Sequence, residues 1–214
     1  PYYPDKASTS LEQQPAPKEY ADIFLELREE GIECIYGKWM VTGEPNTILV
    51  DFRNYVKNGN DIKRELWEKY GVETLFSAWD YTEPMVWAWC VGKLLSKIGK
   101  KFESKKIVAH FHEWLAGISL LYLKSNKSEI RTVFTTHATM LGRAIAGSGD
   151  DLYYLLDKIN PYEEAKKRGI LDKFSTEKAC ALNCDIFTTV SEITAIEAEK
   201  ILGRRPEVIV LNGL

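Results

Sequence analysis

The chain has 214 residues, of which 45% are hydrophobic and 28% charged, and its formal net charge is −3. A chain of that length buries roughly 70% of its unfolded surface in one large domain, with or without an added helical piece, and needs no disulfide or metal to hold together. The slight negative charge argues against nucleic acid or an anionic membrane as the main partner. With no run of 18 apolar residues and no signal peptide, a soluble cytoplasmic protein is expected.

Residues 1–17, PYYPDKASTSLEQQPAP, lack periodicity and read as an extended loop. A helix is predicted over 18–30, stopped by Gly31. Two strands over 33–39 and 47–52, joined by a turn at 43–46, predict a hairpin or an extension of a sheet edge. Residues 61–70 form a short amphipathic helix, and Pro84 opens a long one with lysines gathering at its end. Met85, Trp89, Gly92 and Leu95 share one face of that helix, a pattern of core packing.

From residue 107 strands and helices alternate strictly. Strands at 107–113, 131–137, 185–190 and 207–211 are separated by helices at 115–124 and 192–202, with two helical stretches between about 150 and 184. Alternation of this kind builds right-handed βαβ units. The predicted class is α/β, with a Rossmann-like parallel sheet, its edge extended by the 33–52 pair, and a helical insertion at about 150–184. A loop-like beginning and a stop directly after a strand predict a piece of a longer polypeptide.

Polar residues gather where these strands end: Glu113, then Thr136 and His137, then Ser191, then Asn212. In a parallel sheet those ends face one crevice, the usual ligand site of open α/β folds. Ser191 reads as the N-cap of the following helix in preference to a nucleophile. His110 and His112, two apart in a strand, point to one face. With His137 they make a three-histidine metal site conceivable, but imidazoles packed beneath helices are the favoured reading. Arg143, early in the next helix, either joins that helix's N-terminus in an anion site or is a solvated arginine. The runs EEAKKRG and KFESKK read as solvated faces. Cys34, Cys90, Cys180 and Cys184 are scattered and expected to be reduced thiols. The sequon at 126–128 carries no weight without secretion.

The segments HFHEWLAG, FTTHATMLGR, TEKACA, DIFTTVS, ITAIEAEKIL and PEVIVLNGL, in this order and spacing, closely resemble the animal and fungal type of glycogen synthase. The likeness is densest over 107–214 and continues more weakly through PYYPDK, CIYGKW and LLSKIGKKF. It implies a GT-B glycosyltransferase, with two Rossmann-like domains flanking the active site. Such an enzyme moves glucose from UDP-glucose to the non-reducing end of an α-1,4-glucan, with retention, no metal and no cofactor beyond the donor. Residues 1–214 would be an incomplete N-terminal, acceptor-side domain, inactive alone. Its first strand and glycine-rich loop would precede residue 1, and the donor domain would follow residue 214.

By the same resemblance Glu113 lies near the acceptor glucan, His137 reaches the donor sugar, Arg143 faces the donor in the cleft, and Asn212 marks the interdomain crossover. The insertion would support contacts in a homo-oligomer of the full-length protein. A non-catalytic carbohydrate-binding or interaction domain is the alternative, followed by a metal-dependent hydrolase built on His110, His112 and His137.

Overall fold

The computed structural model describes residues 1–7 and 10–213; residues 8 and 9 of the predicted first loop, and the last residue of the final motif, lie outside them. The carboxyl-terminal half forms a parallel sheet in the order β4-β5-β6-β7, from Val108–His112, Arg131–Thr136, Ile186–Thr189 and Val208–Ile209. Strict alternation makes this sheet two-faced. Ala109, Phe111, Phe134 and Phe187 turn into the core, where the last two rings stack at 5.8 Å. Helix α5 (Glu113–Ser125) lies on that face and is apolar nearly all round, with Trp114, Ile118, Leu120, Leu121 and Leu123 all buried.

On the opposite face Val108, His110, His112, Arg131, Ile186 and Val208 are exposed, while Val133 is half-buried and Thr135 and Thr188 are buried between them. The two histidines are therefore not interior imidazoles beneath a helix, as the alternation led one to expect. They stand exposed on β4, at one end of the strand order.

A second sheet occupies the amino-terminal half. The predicted first loop contains a helical turn, α1 (Pro4–Ala7), and a short strand, β1 (Leu11–Gln13), which pairs antiparallel with β2 (Glu33–Trp39). Three residues are too few for periodicity to announce a strand; the pairing supplies it. Strand β3 (Asn46–Asp51) takes the other edge of β2, so the two predicted strands do form a hairpin. They do not extend the parallel sheet. The outer edge of β3 receives the Tyr2 N–H at Val50 O, 2.9 Å, and β3 packs on α4 without pairing to β4.

Helices α2 (Lys18–Glu29) and α3 (Gly59–Tyr70) match the predicted ones closely, with a short 3₁₀ segment, Arg53–Asn58, before α3. Helix α4 runs from Trp79 to Lys101, starting before Pro84, which lies inside it. Tertiary anchoring overrides the proline. Tyr81 is fully buried, stacks on Trp114 at 5.5 Å, and meets the Thr176 hydroxyl at 2.7 Å.

Between β5 and β6 stand α6 (Met140–Gly147) and three further helices, α7 (Leu152–Leu155), α8 (Pro161–Lys167) and α9 (Leu171–Asn183), where two stretches were expected. Asp151 and Asn160 cap α7 and α8 through Tyr154 N–H and through Tyr162 and Glu163 N–H, and so divide them. Arg168, read from sequence as part of a solvated run, is instead a hub with a side chain only 13% exposed. It bonds Asp150 at 2.6 Å, Glu164 at 2.8 Å and Ala144 O at 3.1 Å. Helix α10 (Glu192–Leu202) completes the layer, and Ser191 caps it by accepting Thr194 N–H, as predicted.

Candidate active site

The chain turns abruptly from β4 into α5 at Glu113, whose φ is 62°. That left-handed conformation costs a residue with a side chain about 1–3 kcal/mol and concentrates at functional sites. It aims the Glu113 carboxylate across to the end of β5. There Oε1 accepts the His137 backbone N–H at 3.0 Å and an Arg143 Nη2–H at 3.3 Å. Three of the four residues singled out by sequence thus meet at one carboxylate, on the carboxyl edge of the sheet. Asn212, exposed beyond β7 at the far end of the sheet, makes no hydrogen bond to them among the described residues.

The three histidines form a row. His110 and His112 rings lie 4.2 Å apart, His112 and His137 5.4 Å, with a 3.1 Å contact from His112 Nδ1 to His137 Nε2. His110 Nε2 meets the Thr135 hydroxyl at 2.6 Å. Partial burial, reinforced by the neighbouring His110 and His137 imidazoles, holds His112 below the usual histidine range and so neutral near pH 7. The rings lie alongside one another; among the described residues no three His, Cys, Asp or Glu side chains converge as metal ligands.

The N-terminus of α6 is not free for a ligand anion, as the arginine-plus-helix expectation required. Glu197 Oε1 accepts Thr139 N–H at 2.8 Å and the Thr139 hydroxyl at 2.6 Å, and Glu177 Oε2 accepts Met140 N–H at 2.8 Å. Thr139 Oγ1 in turn caps Gly142 N–H at 2.9 Å. The protein's own carboxyl and hydroxyl groups thus take the N–H groups of Thr139, Met140 and Gly142 at the helix end. Arg143 remains the one cation aimed at this edge from α6. Its side chain is 51% exposed, and its Nε donates to Ala138 O at 3.3 Å.

Sequence reasoning missed Glu177 and Glu197. Both lie on buried helix stripes, at 0% and 4% exposure, amid Phe174, Cys180 and Ala181 in one case and Ala198 and Ile201 in the other. A carboxylate on an apolar stripe was the available signal, since such a group is retained only where it is hydrogen-bonded. Burial pushes the Glu177 carboxyl up to about 8 against the bonds from Met140 N–H and Thr136 Oγ1–H, with Glu113 and Glu197 adding to the rise.

This architecture defines the class: a Rossmann-like α/β domain with a polar cluster, built on a strained strand-to-helix turn, at the carboxyl edge of its parallel sheet. The glycogen synthase family model matches residues 1–214, and the chain belongs to that family. It is 38% identical over 192 residues to glycogen [starch] synthase isoform 1 of Saccharomyces cerevisiae, covering 89% of this chain and 27% of that protein. The liver glycogen [starch] synthase of Homo sapiens is 35% identical over 215 residues, covering 100% of this chain and 31% of its own length. The Caenorhabditis elegans glycogen [starch] synthase is 39% identical over 187 residues, 86% of this chain and 28% of that protein. The chain spans about three tenths of the length of these curated relatives.

Proposed function

We propose that the protein to which this chain belongs is a glycogen synthase that transfers glucose from UDP-glucose to the non-reducing end of an α-1,4-glucan, with retention of configuration. The observation that carries this reading is the Glu113 carboxylate joining His137 and Arg143 at the sheet edge, in a chain of the glycogen synthase family. Residues 1–214 belong to the acceptor-side, N-terminal domain of a two-domain GT-B cleft, of which they are an incomplete part. The donor domain lies elsewhere in the full-length protein, and Asn212 stands at the crossover between the two.

Each group suits its role. Retaining transfer passes through an oxocarbenium-like state with negative charge growing on the leaving diphosphate. The half-exposed Arg143 guanidinium offers that charge a planar fork of donors, and it does so without the α6 N-terminus. His137, its backbone fixed by Glu113, presents a ring at the donor sugar. The Glu113 carboxylate uses one oxygen for His137 and Arg143, leaving Oε2 for an acceptor hydroxyl. No metal and no cofactor besides the donor enters the mechanism.

The protein works in the cytoplasm as a homo-oligomer. No helix among the described residues is long and apolar enough to cross a membrane. The test is an assay of the purified full-length protein with UDP-glucose and a maltooligosaccharide. Glucan lengthening with the α-anomer preserved is expected, and the isolated 214 residues should transfer nothing, because one wall of the cleft cannot bind the transition state. Absence of transfer by the full-length protein, with saccharide binding retained, would favour a carbohydrate-binding module instead.

A further inference from the structure

Three backbone N–H groups in the turn from β5 to α6 are held by carboxyl groups from three separate helices. His137 N–H is held by Glu113 of α5, Thr139 N–H by Glu197 of α10, and Met140 N–H by Glu177 of α9. Glu177 also takes the hydroxyl of Thr136 at 2.8 Å, on the residue before His137. Met140 and Leu141 anchor the start of α6 in the core, while His137 and Ala138 are only partly buried, so these bonds fix the backbone path of the turn between β5 and that anchor. Arg143 inherits that path, because it sits one turn into α6 and its N–H bonds Thr139 O at 2.9 Å.

Gly142 is the fitted counterpart. A Cβ there would overlap Glu197 Oε1 and lie 2.7 Å from its Cδ. The close approach of that buried carboxyl to the helix end therefore requires glycine. Burying two carboxyl groups near one another is costly, and here the cost is offset by the N–H and hydroxyl donors of the turn that they hold.

We propose that Glu177 and Glu197 are positioning residues of the transfer site, which fix the backbone from Thr136 to Gly142 and thereby aim His137 and Arg143. The inference rests on the functional reading above. It assigns to α9 and α10 a role in transfer beyond packing.

The experiment is made on the full-length protein with two readouts: kinetics of glucosyl transfer, and backbone hydrogen exchange by mass spectrometry. Glu197→Ala should lower kcat by about 10- to 100-fold, the cost of misplacing reacting groups by about an ångström, with KM for both substrates little changed. Exchange at the Thr139 and Met140 amides should quicken at least tenfold, while the Phe134 amide in β5 stays protected. Glu197→Gln, which keeps an oxygen to accept both Thr139 hydrogens, should restore both readouts. Glu177→Ala should behave like Glu197→Ala, and Glu177→Gln should stay close to wild type.

Should Glu197→Ala fail to fold, Thr139→Val carries the same test. It removes the hydroxyl and keeps every carboxyl, and Thr139→Ser is its rescue. Unchanged kcat and exchange in the alanine and valine variants would overturn the proposal, as would a loss of protection spread evenly over β5. A wild-type protein without transfer activity would instead overturn the functional reading, and the exchange pattern would still decide whether the two glutamates hold the turn.

Discussion

The side chains that matter most here are held by single oxygen atoms. Glu113 Oε1 serves both His137 and Arg143, and Glu197 Oε1 serves both hydrogens of Thr139. Arg143→Ala in the full-length protein should lower kcat by about 10²- to 10³-fold, the usual loss on deleting one donor to a developing anion. Its unfolding midpoint should hardly move, because the side chain is half exposed and its ion pair is a surface one. Glu113→Ala should act mainly on use of the glucan acceptor, read as a larger rise in acceptor KM than in donor KM. Gly142→Ala should destabilise the fold by about 1–3 kcal/mol in urea titration, the cost of overpacking against Glu197. A Gly142→Ala protein as stable as wild type would mean that Glu197 can step aside freely.

Among the elements, α5 and α9 form the packed layer under the parallel sheet, and Gly117 is where they touch. A Cβ at Gly117 would overlap Cys180 Sγ and lie 3.2 Å from both Cys180 Cβ and the Phe134 ring. Gly117→Ala should therefore destabilise, and Cys180→Ala should recover part of the loss in the double variant. A double-mutant cycle with no coupling between them would contradict this packing. The elements of this half were legible in the sequence because their alternation is strict; α10 was read to the residue, and β4 and β5 to within a residue or so at each end. Other elements resisted for identifiable reasons. Strand β1 is made by pairing and not by pattern. The start of α4 is set by Tyr81 buried against Trp114 and Thr176, contacts invisible to local propensity around Pro84. His110 and His112 were read correctly as sharing one face, but helices were expected over both faces, and where the helices settle leaves these two rings exposed.

Across the whole molecule carboxyls are shifted in both directions, and Glu177 and Asp185 show pH effects of opposite sign. Glu177 titrates at about 8 in the fold against 4.5 unfolded, so its contribution to stability is greatest below pH 4.5 and is lost as pH rises through 8. Asp185, at the opposite edge of the sheet, is driven the other way. Burial alone would raise it, but Lys124 and the N–H and hydroxyl of Thr132 outweigh burial and bring it down to about 2 from 3.8. Its contribution, on the order of 2 kcal/mol, is present above pH 3.8 and lost as pH falls through 2. Urea titrations across pH should show Glu177→Gln flattening the decline between pH 4.5 and 8. Asp185→Asn should destabilise at neutral pH and leave acid stability near pH 2 almost unchanged. An Asp185→Asn protein as stable as wild type at pH 7 would show that the clamp on β6 contributes nothing.

The candidate site was legible in outline because its residues end strands, and strand ends share an edge. The carboxyls that hold it were hidden because they arrive from α9 and α10, 37 or more residues further along the chain. The central proposal is that glucose is transferred at the cluster of Glu113, His137 and Arg143. The most direct measurement is the turnover of full-length His137→Ala with UDP-glucose and a maltooligosaccharide, made beside its thermal unfolding curve. Turnover reduced by at least about a hundredfold, with the unfolding midpoint unmoved, is the expected result. Wild-type turnover in that variant would contradict it.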